Sequence, residues 1–312
     1  MGNETNSKTR IFELLSESNS VLSGEKISRE LGISRVSVWK HIQKMIKAGI
    51  EINSSAKGYQ LQPDQDSLQP LQFGGWQELI HHFSETGSTM NEAAILARQG
   101  CPDFTVVLAE RQNQGRGRLQ RLWTSADGGL YFTVVVRPEI TLNAAGLLNL
   151  AAALDMAEVL KTGYRIAARL KWPNDILVED KKICGLLSQM EIEGGQIAHV
   201  NIGIGLNVNN QPEIDEPGSV SMQSLLGRPV GRRDVLISFL ERFRHRLNHF
   251  DEAVLIDQWK ANNSTIGRRV QIATVKESIE GTAVDLDQHG GLILEQTDGS
   301  CVTAVHGDCF YN

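Results

Sequence analysis

Gly32 limits the folds open to this chain more than any other single residue. Before it, Ser23-Gly24-Glu25-Lys26-Ile27-Ser28-Arg29-Glu30-Leu31 places Ile27 and Leu31 one helical turn apart. After it, Ser34 suits the N-cap of a helix to about Ala48 whose apolar stripe is Val38, Ile42, Met45 and Ile46. Two short helices broken at a glycine describe a helix-turn-helix, and Ile11, Leu14 and Leu15 supply a helix ahead of it. Past Gly49 the pattern shifts to alternation: Ile50-Glu51-Ile52 reads as a strand, Ser54-Ser55-Ala56-Lys57-Gly58 turns, and Tyr59-Gln60-Leu61 returns. That hairpin would be the wing of a winged helix-turn-helix. Residues 1–62 are therefore expected to form one domain. Pro63 to Gly75, with two prolines, two glycines and no periodicity, reads as a linker reaching to residue 78.

The module also carries its own charge. Residues 1–62 hold nine Lys and Arg against six Asp and Glu, while the remainder holds 22 against 31, so the net −6 of the chain is a +3 segment attached to a −9 body. A basic segment on an acidic protein points toward nucleic acid, because phosphate neutralisation supplies most non-specific affinity. Behind Ser34, the face opposite the apolar stripe carries Arg35, Ser37, Lys40, His41 and Lys44, side chains suited to phosphates or base edges in a major groove. The same face also suits plain solvation on a protein-binding module, since Lys and Arg commonly point outward.

Met1 to Arg10 is polar and mixed in charge, and no apolar run approaches bilayer length, so neither export nor a membrane partner is expected. Cys101, Cys184, Cys301 and Cys309 lack the close pairing of a zinc site or a disulfide framework and read as reduced thiols of a cytoplasmic protein.

Three clusters carry the chemistry of the larger part. The first, Gln112-Asn113-Gln114-Gly115-Arg116-Gly117-Arg118-Leu119-Gln120-Arg121-Leu122-Trp123, sets three arginines and two glycines between strand-like segments. Glycines let backbone approach a ligand, and arginines add fork-shaped donors for phosphate or carboxylate; a flexible loop with no ligand, or one for RNA, has the same composition. The Gly-Lys-Ser/Thr end of a Walker A loop is missing. The second, Lys171-Trp172-Pro173-Asn174-Asp175, leads through Ile176-Leu177-Val178 and the turn Glu179-Asp180-Lys181 into Lys182-Ile183-Cys184-Gly185, a hairpin that can direct the Lys182 ammonium into a cavity, although a lone lysine after a turn is usually just solvated. The third, Ile202-Gly203-Ile204-Gly205-Leu206-Asn207-Val208, puts two glycines on one face of a strand, where either a flat ligand or close packing would lie. A Rossmann reading lacks the third glycine.

Together with Gly32-Ile33-Ser34-Arg35, Lys40-His41-Ile42 and Lys57-Gly58-Tyr59, these clusters and their order resemble the bifunctional biotin protein ligase and biotin-operon repressor family. The resemblance implies an α+β multidomain protein. It would comprise the winged helix-turn-helix (1–62), a linker (63–78), a mixed-sheet catalytic domain like that of class II aminoacyl-tRNA synthetases (79–264) and a C-terminal SH3-like small barrel (265–312). It also implies an ATP-dependent ligase that forms biotinyl-5′-AMP and transfers biotin to a lysine of a carrier protein. The reaction takes biotin and MgATP as substrates and needs no tightly bound prosthetic group. Operator DNA would be the second partner, and biotinyl-AMP would favour a homodimer. The family pattern assigns Lys182 and Arg118 to catalysis and Ser88, Thr89, Met90, Gln112, Gly115, Arg116, Gly117, Arg118, Lys182, Gly203 and Gly205 to biotin. ATP falls to Arg118, Arg121, Trp123, Lys171, Asn174 and Asn207, and Mg2+ to Asp175. In place of the family's Asp-Ser-Thr-Asn this chain reads Gly87-Ser88-Thr89-Met90-Asn91, which leaves Asn91 to shift into the missing role or the pocket to do without it. Gln211 to Leu225 corresponds to the family's adenylate-covering loop and is expected to be mobile. A catalytically silent biotin sensor and a lipoate-type ligase are the alternatives.

Overall fold

The structure is a computed structural model and describes residues 2–18, 20–62, 66–214, 216, 218–274 and 277–311. It divides into two compact units, Met1–Glu78 and Leu79–Asn312.

The first unit contains α1 (Gly2–Glu17), α2 (Gly24–Leu31), α3 (Arg35–Lys47) and the antiparallel hairpin of β1 (Ile52–Ser55) and β2 (Gly58–Leu61). The Oγ atoms of Ser23 and Ser34 accept the N–H groups of Lys26 and Ser37, each at 3.1 Å, and Gly32 at φ 66° ends α2 in the left-handed region. Ile11, Leu15, Ile27, Val38, Ile42 and Met45 form the core. At Gly58 a Cβ would lie 2.1 Å from the Leu22 carbonyl oxygen, so only glycine lets the hairpin close against Leu22. His41 departs from the sequence expectation. It is 6 % exposed, because positions 38, 41, 42 and 45 share the inward face of α3, and it joins the buried stripe instead of the outward basic face. The segment read as linker is partly ordered: 3-10 turns span Pro70–Leu79, and Phe73 and Trp76 are buried. Residues 63–65 of that segment lie outside the described residues.

The second unit begins with β3 (Ile80–Thr86), α4 (Thr89–Arg98), β4 (Thr105–Gln112), β5 (Leu130–Val136), α5 (Leu147–Tyr164), β6 (Arg169–Lys171), β7 (Asp175–Val178), β8 (Lys181–Glu193) and β9 (Gln196–Leu206). Its strands make a seven-stranded sheet in the order β3-β4-β5-β9-β8-β7-β6, parallel at β3–β4 and antiparallel elsewhere. The Ala- and Leu-rich α5 is apolar nearly all round and accordingly buried, packed among the sheet, α7 (Arg232–Asn248) and α8 (Glu252–Asn262). Its one buried carboxylate, Asp155, accepts Nε and Nη2 of Arg246, both at 2.8 Å. The short α6 (Met222–Leu226) precedes α7. The chain ends in an antiparallel five-stranded sheet, as the small C-terminal domain requires. It is built from β10 (Arg269–Ala273), β11 (Ser278–Leu286), β12 (Leu292–Glu295), β13 (Cys301–Ala304) and β14 (Asp308–Tyr311), in the order β13-β12-β11-β10-β14.

Candidate active site

Three glycines open the floor of the site. Gly185 of β8 pairs with Gly205 of β9, and Gly203 lies two residues away on the same side. A Cβ at Gly203 would meet Met90 Sδ at 2.7 Å; at Gly205 and Gly185 it would meet the Trp123 indole at 2.4 and 2.8 Å. The flat partner that the alternating glycines call for is thus supplied by the protein itself: Met90 and Trp123 cover the faces expected to hold a ligand.

Around this floor lies a cavity of about 1010 Å³ of empty space, including its mouth. Five basic side chains line it, Arg116, Arg118, Arg121, Lys171 and Lys182, against the acidic Asp175, Glu216 and Asp308. That surplus favours anions. Lys182 Nζ is 2.9 Å from Asp175 Oδ1 and 5.0 Å from the Trp123 ring centre. Its backbone is strapped to the segment after β9 by Lys182 N–H donating to Gly218 O (2.8 Å) and Val220 N–H donating to Lys182 O (2.9 Å), so part of the segment expected to be mobile is tied to the key lysine. Arg118 Nη1 donates to Asn174 Oδ1 at 3.2 Å, while Asn174 Nδ2 donates to Leu186 O at 2.7 Å, which fixes the guanidinium on the hairpin. Burial pulls the Arg118 pKa below its ordinary value, opposed by Asp308 and Asp175. Arg121 Nη2 is 2.7 Å from Asp308 Oδ2, and the Lys171 ammonium sits 4.7 Å from the Tyr311 ring centre.

The Gly-Arg loop is built differently from the expectation. Gly117 N–H donates to Arg121 O (2.8 Å) and Trp123 N–H to Gly115 O (2.9 Å), so the two limbs of the loop pair with each other and the Gly117 N–H is not offered to an anion. A Cβ at Gly115 would lie 2.3 Å from Trp123 O; glycine is needed there for close approach of the limbs. Arg116 Nη1 donates to Asn91 Oδ1 (3.1 Å) and Gln189 Oε1 (3.3 Å). Asn91 is exposed and holds this arginine at the rim instead of entering the pocket.

A polar wall completes the site at the start of α4. Gln112 Oε1 accepts both the N–H (2.8 Å) and the Oγ1–H (3.1 Å) of Thr89, Thr133 Oγ1 lies 2.9 Å from Thr89 Oγ1, and Gln112 Nε2 donates to Ser125 Oγ at 2.9 Å. Ser88 is different. Its Oγ is buried with no hydrogen-bond partner among the described residues, and although Ser88 is the N-cap of α4 its side chain makes no cap bond. An unpaired buried hydroxyl on a residue lining a cavity has a donor and an acceptor left to satisfy, by a water or by a ligand.

The cavity gathers Ser88, Thr89, Met90, Gln112, Arg116, Gly117, Arg118, Arg121, Trp123, Lys171, Asn174, Asp175, Lys182, Gly203 and Gly205. Gly115 and Asn207 are not on its lining. The Asn207 side chain is buried and its Oδ1 accepts Asn210 Nδ2 at 3.0 Å, which turns the amide toward Asn210 instead of toward a nucleotide. Among the described residues no group of three or more His, Cys, Asp or Glu could hold a metal. Sequence reasoning missed Thr133, Ser125, Asp308 and Phe310. Thr133 had left a signal, the one aliphatic hydroxyl within the otherwise apolar and aromatic run Leu130–Val136.

Comparison with known proteins supplies the context. Residues 86–207 match the biotin/lipoate A/B protein ligase family, residues 8–60 an HTH domain and residues 265–311 the biotin protein ligase C-terminal domain. The chain is 35 % identical over 309 residues to the bifunctional ligase/repressor BirA of Bacillus subtilis, covering 93 % of this chain and 94 % of that one. With the bifunctional ligase/repressor BirA of Escherichia coli it shares 29 % over 88 % of each. Its fold is similar to the biotin protein ligase from Aquifex aeolicus in complex with biotin and ATP, at 28 % identity and TM-score 0.64, covering 75 % of this chain and 98 % of that one.

Proposed function

The chain belongs to the bifunctional biotin ligase/repressor family, and from that premise we propose that the cavity of the second unit performs both steps of biotin transfer while the first unit binds operator DNA. The observation that carries the reading is that Ser88, whose buried hydroxyl has no hydrogen-bond partner among the described residues, lines the same cavity as Lys182, Arg118 and Arg121. Such a cavity joins a neutral hydrogen-bonding recess to a cluster of cations, which is what a ureido ring linked to a carboxylate and a triphosphate requires.

In the first step a biotin carboxylate oxygen bonds to the α-phosphorus of ATP and the bond to the β-phosphate oxygen breaks, releasing pyrophosphate. The obstacle is repulsion between anions, and fixed cations offset it where charge develops. Lys182 bridges the carboxylate and the α-phosphate, exchanging Asp175 for them. Arg118, fixed by Asn174, and Arg121 take the phosphates, with Lys171 beside them. Mg2+ would enter as part of the ATP substrate, and Asp175, one of three carboxylates lining the cavity, would offer it an oxygen. Ser88 and Thr89 meet the ureido group, with Gln112 orienting Thr89. The bicycle reaches Gly203 and Gly205 after Trp123 and Met90 give way. Arg116 closes the rim, keeping water from the adenylate. In the second step the carrier lysine amine attacks the acyl carbon of the mixed anhydride and AMP leaves.

Incubating the chain with labelled biotin, ATP and a biotin carboxyl carrier domain should transfer label to the carrier; an unlabelled carrier overturns the reading, and transfer of lipoate in preference to biotin would replace it. No described helix is long and apolar enough to cross a membrane. Repression follows if biotinyl-AMP orders the segment around Lys182 and drives a homodimer, setting two winged modules on two half-sites. Operator binding that ignores biotin and ATP would refute this coupling.

A further inference from the structure

The recognition surface of α3 contains a feature that neither phosphate binding nor solubility accounts for. Val36 is 63 % exposed and Trp39 is 53 % exposed, one helical turn apart. Single exposed apolar residues are ordinary; two large ones together on the first turns of one helix are not. At about 100° per residue, Val36, Lys40 and Lys47 lie opposite the buried stripe of Val38, Ile42 and Met45, with Trp39 beside Val36. Arg35, Lys40 and Lys44 flank the pair along the helix, a positive setting that favours a negatively charged partner.

In a helix-turn-helix the N-terminal residues of the second helix reach base edges in the major groove. The apolar landmark on that edge is the 5-methyl group of thymine. We propose that Val36 and Trp39 form an apolar reading head for thymine methyl groups, with Val36 on the methyl itself and Trp39 covering its flank, while Arg35, Lys40 and Lys44 hold the phosphates and set the register. The proposal rests on the operator-binding reading and adds to it the base that is read and the residues that read it.

The test uses the full chain with biotin and ATP. A duplex enriched from a random-sequence library is remade with deoxyuridine replacing each thymine in turn, which deletes only the methyl. At one or more thymines in each half-site the wild type should bind about fourfold more weakly, the equivalent of about 0.8 kcal/mol for one buried methyl-sized group. Val36→Ala should weaken the thymine duplex by a similar factor and lose the thymine-to-uracil ratio, and Lys40→Ala should weaken both duplexes alike and lower the salt slope by about one. Biotin transfer by Val36→Ala and Trp39→Ala should equal that of the wild type, which shows that the rest of the chain is intact. A wild type indifferent to every methyl, or a Val36→Ala variant that keeps full discrimination, overturns the proposal. So does a pair of variants that bind DNA normally but self-associate more weakly in sedimentation, since the face would then be a contact between copies. Failure to enrich any duplex appears before the uracil step and removes the operator-binding reading together with this one.

Discussion

Replacing Ser88 by alanine should move stability and ligand affinity in opposite directions. An unpaired buried hydroxyl costs about 1–3 kcal/mol relative to solvent, and the Ser88 Oγ makes neither a cap bond nor any other hydrogen bond among the described residues. The usual loss of about 1 kcal/mol on deleting an N-cap serine therefore does not apply. After allowing for the small void left by one oxygen, Ser88→Ala should stabilise the second unit by about 1 kcal/mol. In the complex the same hydroxyl gains a neutral hydrogen bond to the ureido group worth about 0.5–1.5 kcal/mol, so the Kd for biotin should rise about 2- to 12-fold. Urea denaturation with an unchanged m-value reads the first quantity and calorimetric titration with biotin the second. A variant that is destabilised, or that binds biotin as tightly as the wild type, would refute the assignment of Ser88 as a waiting ligand group.

Asp155→Ala leaves the inward-turned Arg246 guanidinium without its carboxylate and should cost about 3 kcal/mol in urea unfolding; a loss below about 1 kcal/mol would show the pair to be dispensable. Burial holds the Cys309 thiol at a pKa of about 11, so at pH 8 iodoacetamide should modify the exposed Cys301 first, with Cys309 reacting only as the pH approaches 11; equal rates at pH 8 would contradict this. Burial lowers the His199 pKa from its ordinary 6.5, so the unfolded chain binds that proton more tightly: the stabilisation is complete above 6.5 and is lost as the pH falls below it. His199→Gln should flatten the fall in stability from about pH 7 to pH 5, and an unchanged slope would refute the contribution. Gly205→Ala drives a methyl into the Trp123 indole at 2.4 Å and should cost about 1–3 kcal/mol and impair biotin binding; normal stability and binding would show that Trp123 does not pack there in solution.

Local chemistry was legible in the sequence. Ser34 as a cap, Gly32 as a break and the hairpin leading to Lys182 all follow from rules that act within a few residues. Angular bookkeeping on a single helix was less secure: His41 sits one turn from Val38 and Met45, and a polar residue at that angle is buried with the stripe. Alternating glycines correctly pointed to a close partner, but whether the partner is a ligand or a tryptophan depends on where the Gly-Arg loop folds back, which is a tertiary matter. Asp308 and Phe310 were invisible for the same reason, because β14 reaches the cavity from the far end of the chain. The exposure of Val36 and Trp39 was not legible because apolar residues are ordinarily buried, and only the packing of α3 leaves these two outside the core.

The central claim is that Lys182 joins the two anions in adenylate formation, and single-turnover rapid-quench measurement of biotinyl-AMP in Lys182→Ala tests it most directly. Removing a preorganised charge at the reacting centre should slow adenylation at least about 100-fold while biotin binding changes only a few fold. Adenylate forming within about fivefold of the wild-type rate would contradict the account.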